Sequence, residues 1–199
     1  MNWIKTIFAS SIVIFLFSFI MGTQIDKPTG LKVGDKAPAF KAPDHNGNVV
    51  DLYTLLQKGP VVLIFYRGAW CPYCNKEMSE LQDSLHYIIE KGANVIAITP
   101  ETNNNINKTI KKTKASFSII HDEGYDIMNL YKTTFTVDSS TVEKYKKWNI
   151  DLEGANGNKD HILPVPATYV IGKDGLIKYV FFDSDYKKRA PVKDIISVL

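Results

Sequence analysis

One junction constrains this chain more than any other feature. Residues Val61–Tyr66 read VVLIFY, an unbroken apolar run, and a short turn later Cys71-Pro72-Tyr73-Cys74 opens a helical pattern. A β-branched and aromatic run of that kind suits a strand covered on both faces, in the middle of a sheet with helices on each side. From Pro72 to Lys91 a helix is expected, with Met78, Leu81, Leu85, Ile88 and Ile89 at spacings of three and four and Gly92 as its stop. ANVIAIT then reads as a second buried strand. Strand, helix and strand in that order predict a parallel pair with a right-handed crossover.

The remaining segments fit around this unit. DHNGNVV reads as a turn between two short extended pieces, and LYTLLQKG as a short helix closed by Gly59. NNNINKTIKKTKA is a polar helix, FSIIHDE a short strand, and GYDIMNLYKT a helix with Ile127, Leu130 and Tyr131 on one side. Phe135 to Leu163 lacks periodicity, and WNIDLEGANGNKDHILP, from Trp148 on, reads as a loop insertion of the kind that borders a site. ATYVIGKDGLIKYVFF is a hairpin turning at Lys173-Asp174-Gly175, and Val192–Leu199 is a closing helix. Together these predict an α/β sandwich.

The first residues differ in character. MNWIKTIFASSIVIFLFSFIMGTQID carries Lys5 and then no charge from Thr6 to Ile25. A cation followed by a short apolar stretch is the layout of a secretory signal, and the uncharged run is also long enough to cross a bilayer once. Residues 1–25 are therefore expected to be a signal peptide or a membrane anchor, 26–32 a linker, and 33–199 the folded domain. Either reading puts the domain outside the cytoplasm, in a bacterial periplasm, with Lys5 left behind. The net charge is only +3. Basic clusters such as Lys144-Tyr145-Lys146-Lys147 and Lys187-Lys188-Arg189 read as solvated faces, so no nucleic-acid partner is expected.

The two cysteines are the only ones in the chain. A zinc site needs about four ligands, and His45, His86, His121 and His161 show no paired spacing, so no metal is expected. A structural disulfide would close a very small loop and remove little entropy from the unfolded chain. It stays possible outside the cytoplasm, but the position of the pair, where a buried strand hands over to a helix, favours redox chemistry. A Cys at a helix N-terminus meets unpaired N–H groups and the positive end of the helix dipole, which favour thiolate. Pro72 suits the first helical position, and Cys74 follows one turn on. By helix-end electrostatics Cys71 is the lower-pKa thiol.

VVLIFYRGAWCPYCNKEMSELQ resembles the thioredoxin superfamily and, within it, the peroxiredoxin-like AhpC/TSA (redoxin) family. VGDKAPAFKAPDHNGNVVDLYTLL is similar to that family's N-terminal hairpin, and VPATYVIGKDGLIKYVFFDSDYKKR to its C-terminal half. The resemblance implies a thioredoxin-like α/β/α sandwich with a central mixed sheet and an N-terminal hairpin extension. It implies no cofactor, and a thiol-dependent peroxidase that reduces hydrogen peroxide or organic hydroperoxides and is recycled by a thioredoxin-like dithiol protein. Two other readings stay open: a thiol–disulfide oxidoreductase acting on exported proteins, and a redox-silent binding module whose cysteines form a staple.

The resemblance also implies site residues. Pro166 would precede a strand in the cis form and face the cysteines. Glu77 matches a family carboxylate, although an acid near a helix N-terminus also accounts for it. Trp70 would shield the pair and Arg67 would lower a thiol pKa, or serve as a strand-end cation. Tyr73, between the thiols, would be exposed. The family pattern Tyr-Pro-x-x-x-Thr-x-x-Cys, counted from Tyr66, puts Arg67 at the Pro, Cys71 at the Thr and Cys74 at the peroxide-reactive place. The thioredoxin register instead makes Cys71 an exposed nucleophile. The family's later-strand Arg is replaced by Pro166; Arg189 could reach the site from the C-terminal region, but the favoured reading is a surface cation.

Overall fold

The computed structural model describes residues 27–199. The expected leader or anchor, residues 1–25, lies outside the described residues. A hairpin comes first, β1 (Lys41–Pro43) and β2 (Val49–Asp51), antiparallel with Ala42 opposite Val50. Its turn is held by Asp44, whose carboxylate accepts the amides of Asn46 and Asn48, each at 2.9 Å. There follow α1 (Leu52–Lys58), β3 (Val61–Phe65), α2 (Pro72–Asp83), α3 (Leu85–Glu90), β4 (Asn94–Thr99), α4 (Asn103–Thr113), β5 (Ser118–His121) and α5 (Asp126–Leu130). The chain continues through β6 (Thr134–Thr136), α6 (Ser139–Lys147), α7 (Leu152–Asn156), β7 (Ile162–Pro164), β8 (Ala167–Ile171), β9 (Ile177–Phe182) and α8 (Val192–Ser197).

The central sheet runs β5-β4-β3-β8-β9. β3 pairs parallel with β4 and antiparallel with β8, so the sheet is mixed and its middle strand is bonded on both flanks. Side chains alternate along it, as the two-residue period of a strand requires. Val61, Leu63 and Phe65 enter one core with Leu52 and Leu56 of α1 and Ile127 and Met128 of α5. Val62, Ile64 and Tyr66 enter the other with Met78 and Leu81 of α2, Ile88 of α3, Ile106 of α4 and Ile195 of α8. All five β3 side chains are buried, each worth roughly 2 kcal/mol in transfer free energy. The sheet thus has helices on both faces, the expected α/β/α sandwich.

Two local expectations change. The helix expected from Pro72 to Lys91 breaks at Ser84, which caps α2 and precedes α3. Met78, Leu81 and Ile88 still share one core, but Ile89 is exposed. The aperiodic segment, Phe135 to Leu163, contains two helices between the paired strands β6 and β7, and the second of them, α7, lies inside the stretch read as a loop insertion. Val137, Val142, Leu152 and Leu163 give it a small core of its own, packed against Trp70, Phe135 and Tyr145. That packing seats the segment beside the cysteines.

Candidate active site

The site forms where β3 ends. Tyr66 still bonds into the sheet through its amide to the Ile98 carbonyl at 3.1 Å, and the Cys71 amide then closes a turn on the Gly68 carbonyl at 3.0 Å. Cys71 is the N-cap of α2 with extended backbone angles, and Pro72 takes the first turn. The Cys71 Sγ accepts the Cys74 amide at 3.4 Å, standing where a capping hydroxyl or carboxylate usually stands. Both cysteines are free thiols and both are buried. The expectation of an exposed Cys71 is therefore corrected: it belongs to the core cluster of Tyr66, Cys74 and Met78, with Trp70 packed against that cluster.

Each sulfur has its own arginine. Arg67 Nη2 donates to Cys71 Sγ at 3.2 Å, and Arg189 Nη2 donates to Cys74 Sγ at 3.1 Å. Arg67 is buried, lies 4.0 Å from the Tyr186 ring centroid and 5.0 Å from that of Trp70, and donates to the Tyr145 hydroxyl at 3.2 Å. Among the described residues it makes no ion pair with a carboxylate, and the Cys71 sulfur is the foremost negative group acting on it. Arg189 has a second partner: its Nε stands 2.6 Å from Glu77 Oε2. It is not the surface cation expected from its sequence neighbours, because Tyr186 and Lys188 carbonyls, each 2.6 Å from its Nη1, turn it inward.

The thiols respond oppositely. Cys71 is pulled down to about 5, first by the hydrogen bond from the Cys74 thiol and then by the charge and hydrogen bond of Arg67, against a cost of burial. Cys74 is pushed well up, chiefly by burial and then by the hydrogen bond its thiol donates to Cys71, and Arg189 offsets only part of this. Glu77 is buried as well, which raises it to about 7 despite Arg189 and the Thr168 hydroxyl at 3.2 Å. It sits beyond the first turn of α2, so helix-end electrostatics does not explain it; anchoring Arg189 does.

Trp70 packs on Tyr145, with ring centroids 5.3 Å apart, and on Arg67, so it walls the site as expected. Tyr73 is exposed and meets Tyr186 edge-on at 5.8 Å. With Trp148 these rings and Arg67 line an apolar cavity of about 240 Å³ over the turn. Pro166 is buried beside Ala167, which faces Phe65 across the sheet at the mouth of the site. The expected cis bond is corrected, because no peptide among the described residues is cis. The Val165 amide bonds to the Thr133 carbonyl at 2.8 Å, which keeps the chain extended from β7 into β8. Sequence reading undervalued Arg189 and did not see Tyr145, Tyr186 or Glu101, none of which carries a local motif.

Known proteins place this architecture. Peroxiredoxin Q of the chloroplast from Oryza sativa subsp. japonica is 26% identical over 168 residues, covering 83% of this chain and 65% of its own length. The chain thus spans just under two thirds of that relative. The thiol-disulfide oxidoreductase ResA from Bacillus cereus is 30% identical over 64% of this chain and 77% of its own. The crystal structure of peroxidoxin BcpB from Mycobacterium tuberculosis overlays with a TM-score of 0.65 at 20% identity, over 84% of this chain and 96% of that one, a likeness of fold. The AhpC/TSA family model matches residues 33–180, from the hairpin extension through β8 and into β9. With the paired thiols at the head of α2 inside that span, the chain belongs to the AhpC/TSA family.

Proposed function

We propose that this protein is a thiol-dependent peroxidase in which Cys71 attacks and Cys74 resolves. The observation that carries the reading is a buried guanidinium, Arg67, that has no carboxylate partner among the described residues and donates to the Cys71 sulfur. The thiolate attacks one oxygen of the peroxide; an S–O bond forms, the O–O bond breaks, and the departing alkoxide or hydroxide takes a proton to leave as alcohol or water. Cys71 is then a sulfenic acid. Cys74 attacks its sulfur, forming S–S and breaking S–O, and the hydroxide leaves as water with the Cys74 proton. Arg189 beside Cys74 stabilises the developing thiolate in that second step, and Glu77 holds Arg189 in place. A thioredoxin-like dithiol protein reduces the disulfide by two exchanges, itself becoming the disulfide. Trp70 and its aromatic neighbours shelter the thiolate, and Pro166 fixes the start of β8 against β3.

The test is peroxide added to the reduced protein, with loss of free thiol followed in time. Rapid formation of the Cys71–Cys74 disulfide is expected. Slow reaction with hydrogen peroxide and organic hydroperoxides, with fast exchange against protein disulfides, would replace this reading by the second, a thiol–disulfide oxidoreductase. One observation favours that second reading: Cys71 occupies the position of the Thr in the peroxidase pattern, and a low-pKa Cys above a protonated Cys serves disulfide exchange equally well.

We further propose that the domain works outside the cytoplasm, exported or held at the membrane through residues 1–25. The support is the charge-free apolar stretch behind Lys5. Fractionation of cells making the full chain tests this, and recovery in the cytosol would refute it.

A further inference from the structure

Glu101 is a buried carboxylate that the two cysteine–arginine pairs leave unused. It has no exposed surface, and its Oε2 accepts the Ala69 amide at 2.8 Å. The Ala69 carbonyl is held from the other side by Lys112 Nζ at 2.7 Å and Asn75 Nδ2 at 2.9 Å. Ala69 is thus gripped at both ends, two residues before Cys71. Gly68 shows how tight the grip is. Its φ is +151°, and a Cβ there would sit 2.5 Å from Glu101 Oε1 and 2.6 Å from Trp70 Nε1. Among the described residues neither of those two atoms has a hydrogen-bond partner. Glu101 also lines a cavity of about 310 Å³ on the far side of Trp70 from the aromatic one, with Lys108 and Lys112 in its wall.

We propose that Glu101 is a positioning residue for Cys71: it fixes the turn that presents the sulfur, and its charge sets how strong a nucleophile that sulfur is. The inference rests on the reading of Cys71 as the attacking thiol. The first half follows from the Ala69 clamp, because the Gly68 carbonyl just before it holds the Cys71 amide. The second half follows from like charge. An ionised carboxylate near a thiolate makes the thiolate more basic, and a more basic thiolate is intrinsically more nucleophilic. The groups facing Glu101 are Lys108 and Lys112 of α4, which favour its charge, and Cys71, which opposes it. Tyr66 at the end of β3 is coupled to it, and Asp151 at the head of α7 shares its cavity. Burial outweighs the lysines and raises Glu101 to about 7, above Cys71 at about 5. The two charges therefore appear in sequence as pH rises.

The experiment is alkylation of Cys71 by iodoacetamide in the reduced full chain, followed by mass spectrometry across pH. The native protein should show two rises, one near pH 5 and a second near pH 7. The second is about threefold if the coupling is about one unit, given the Brønsted slope of thiolates. Glu101→Gln keeps an acceptor for the Ala69 amide but has no charge, so it should keep the first rise and lose the second. Lys112→Met removes a cation and should move the second rise to higher pH; it decides the matter alone if the Gln variant fails to fold. Profiles of both variants that superimpose on the native one overturn the role of Glu101 and leave Cys71 as the nucleophile. A native Cys71 no more reactive than free cysteine overturns both.

Discussion

The N-cap of α2 and its first turn hold two sulfurs that ought to behave alike and do not. Both are buried, and the guanidinium distances are 3.2 Å and 3.1 Å. Yet Cys71 is driven down and Cys74 up. Burial weighs most on Cys74, and two further differences separate them. At the N-cap, Cys71 accepts hydrogen bonds from the Cys74 amide and the Cys74 thiol, whereas Cys74 donates a hydrogen bond to Cys71. The arginines also differ in what else they serve. Arg67 has aromatic faces and a hydroxyl around it, while Arg189 divides its charge between Cys74 and Glu77. A nearby guanidinium is thus insufficient to ionise a buried thiol. Burial first, then hydrogen-bond direction and competition for the cation, decide the outcome.

The comparison can be broken most severely at the sulfurs themselves. Cys71→Ser should reduce peroxide consumption to background, while Cys74→Ser should still react once and stop as a sulfenic acid that dimedone traps. The reverse pattern would make Cys74 the attacker, as the peroxiredoxin register has it. Next in size is Arg67→Met. Losing an adjacent opposite charge raises a thiol by about one to three units, so alkylation of Cys71 at pH 6 should fall by up to about 100-fold and its onset should move upward from pH 5. An unchanged onset would show that the helix end alone suffices.

Arg189→Met acts on the other sulfur. It should leave Cys71 alkylation near native and slow closure of the disulfide by about tenfold, the worth of one charged hydrogen bond, as read by quenched-flow thiol counting. Equal slowing of both steps would mean that the two arginines act as one unit. The smallest effect belongs to Tyr186, whose ring covers Arg67. Tyr186→Ala should weaken Cys71 reactivity about two- to fivefold, the value of one cation–π contact, and Tyr186→Phe should restore it.

Ionisation of Cys71 also bears on stability. Its folded-state value lies below the ordinary 9.0, so its charge stabilises the fold fully above pH 9 and that contribution fades as pH falls through about 5. The stability gap between the reduced native protein and Cys71→Ser, measured by urea unfolding, should narrow over that range.

Legibility in the sequence followed the range of the forces involved. β3, β4 and the β8–β9 hairpin were readable because burial on both faces writes itself into adjacent residues. The Ser84 break was invisible, since Met78, Leu81 and Ile88 keep a common face across it. The segment from Phe135 to Leu163 has a core of four buried side chains, too few to leave a period. At the site, Cys71, Arg67 and Trp70 lie within one short stretch and could be found by motif. Arg189 and Glu101 reach the same place from 115 residues after Cys74 and 32 residues after Ala69, respectively. A run of exposed cations around Arg189 disguised it, and nothing local marks Glu101.

The place of β3 in the sheet has a consequence for how the protein breathes. With β4 on one flank and β8 on the other, the amides of Val61–Phe65 can exchange with solvent only in the rarest, most global openings, while the loop around Tyr186 exchanges in small local ones. The strand that carries the reactive turn therefore stays put while the rim above it loosens and reseals. Visitors can be admitted and released at the rim without the foundation beneath Cys71 ever melting.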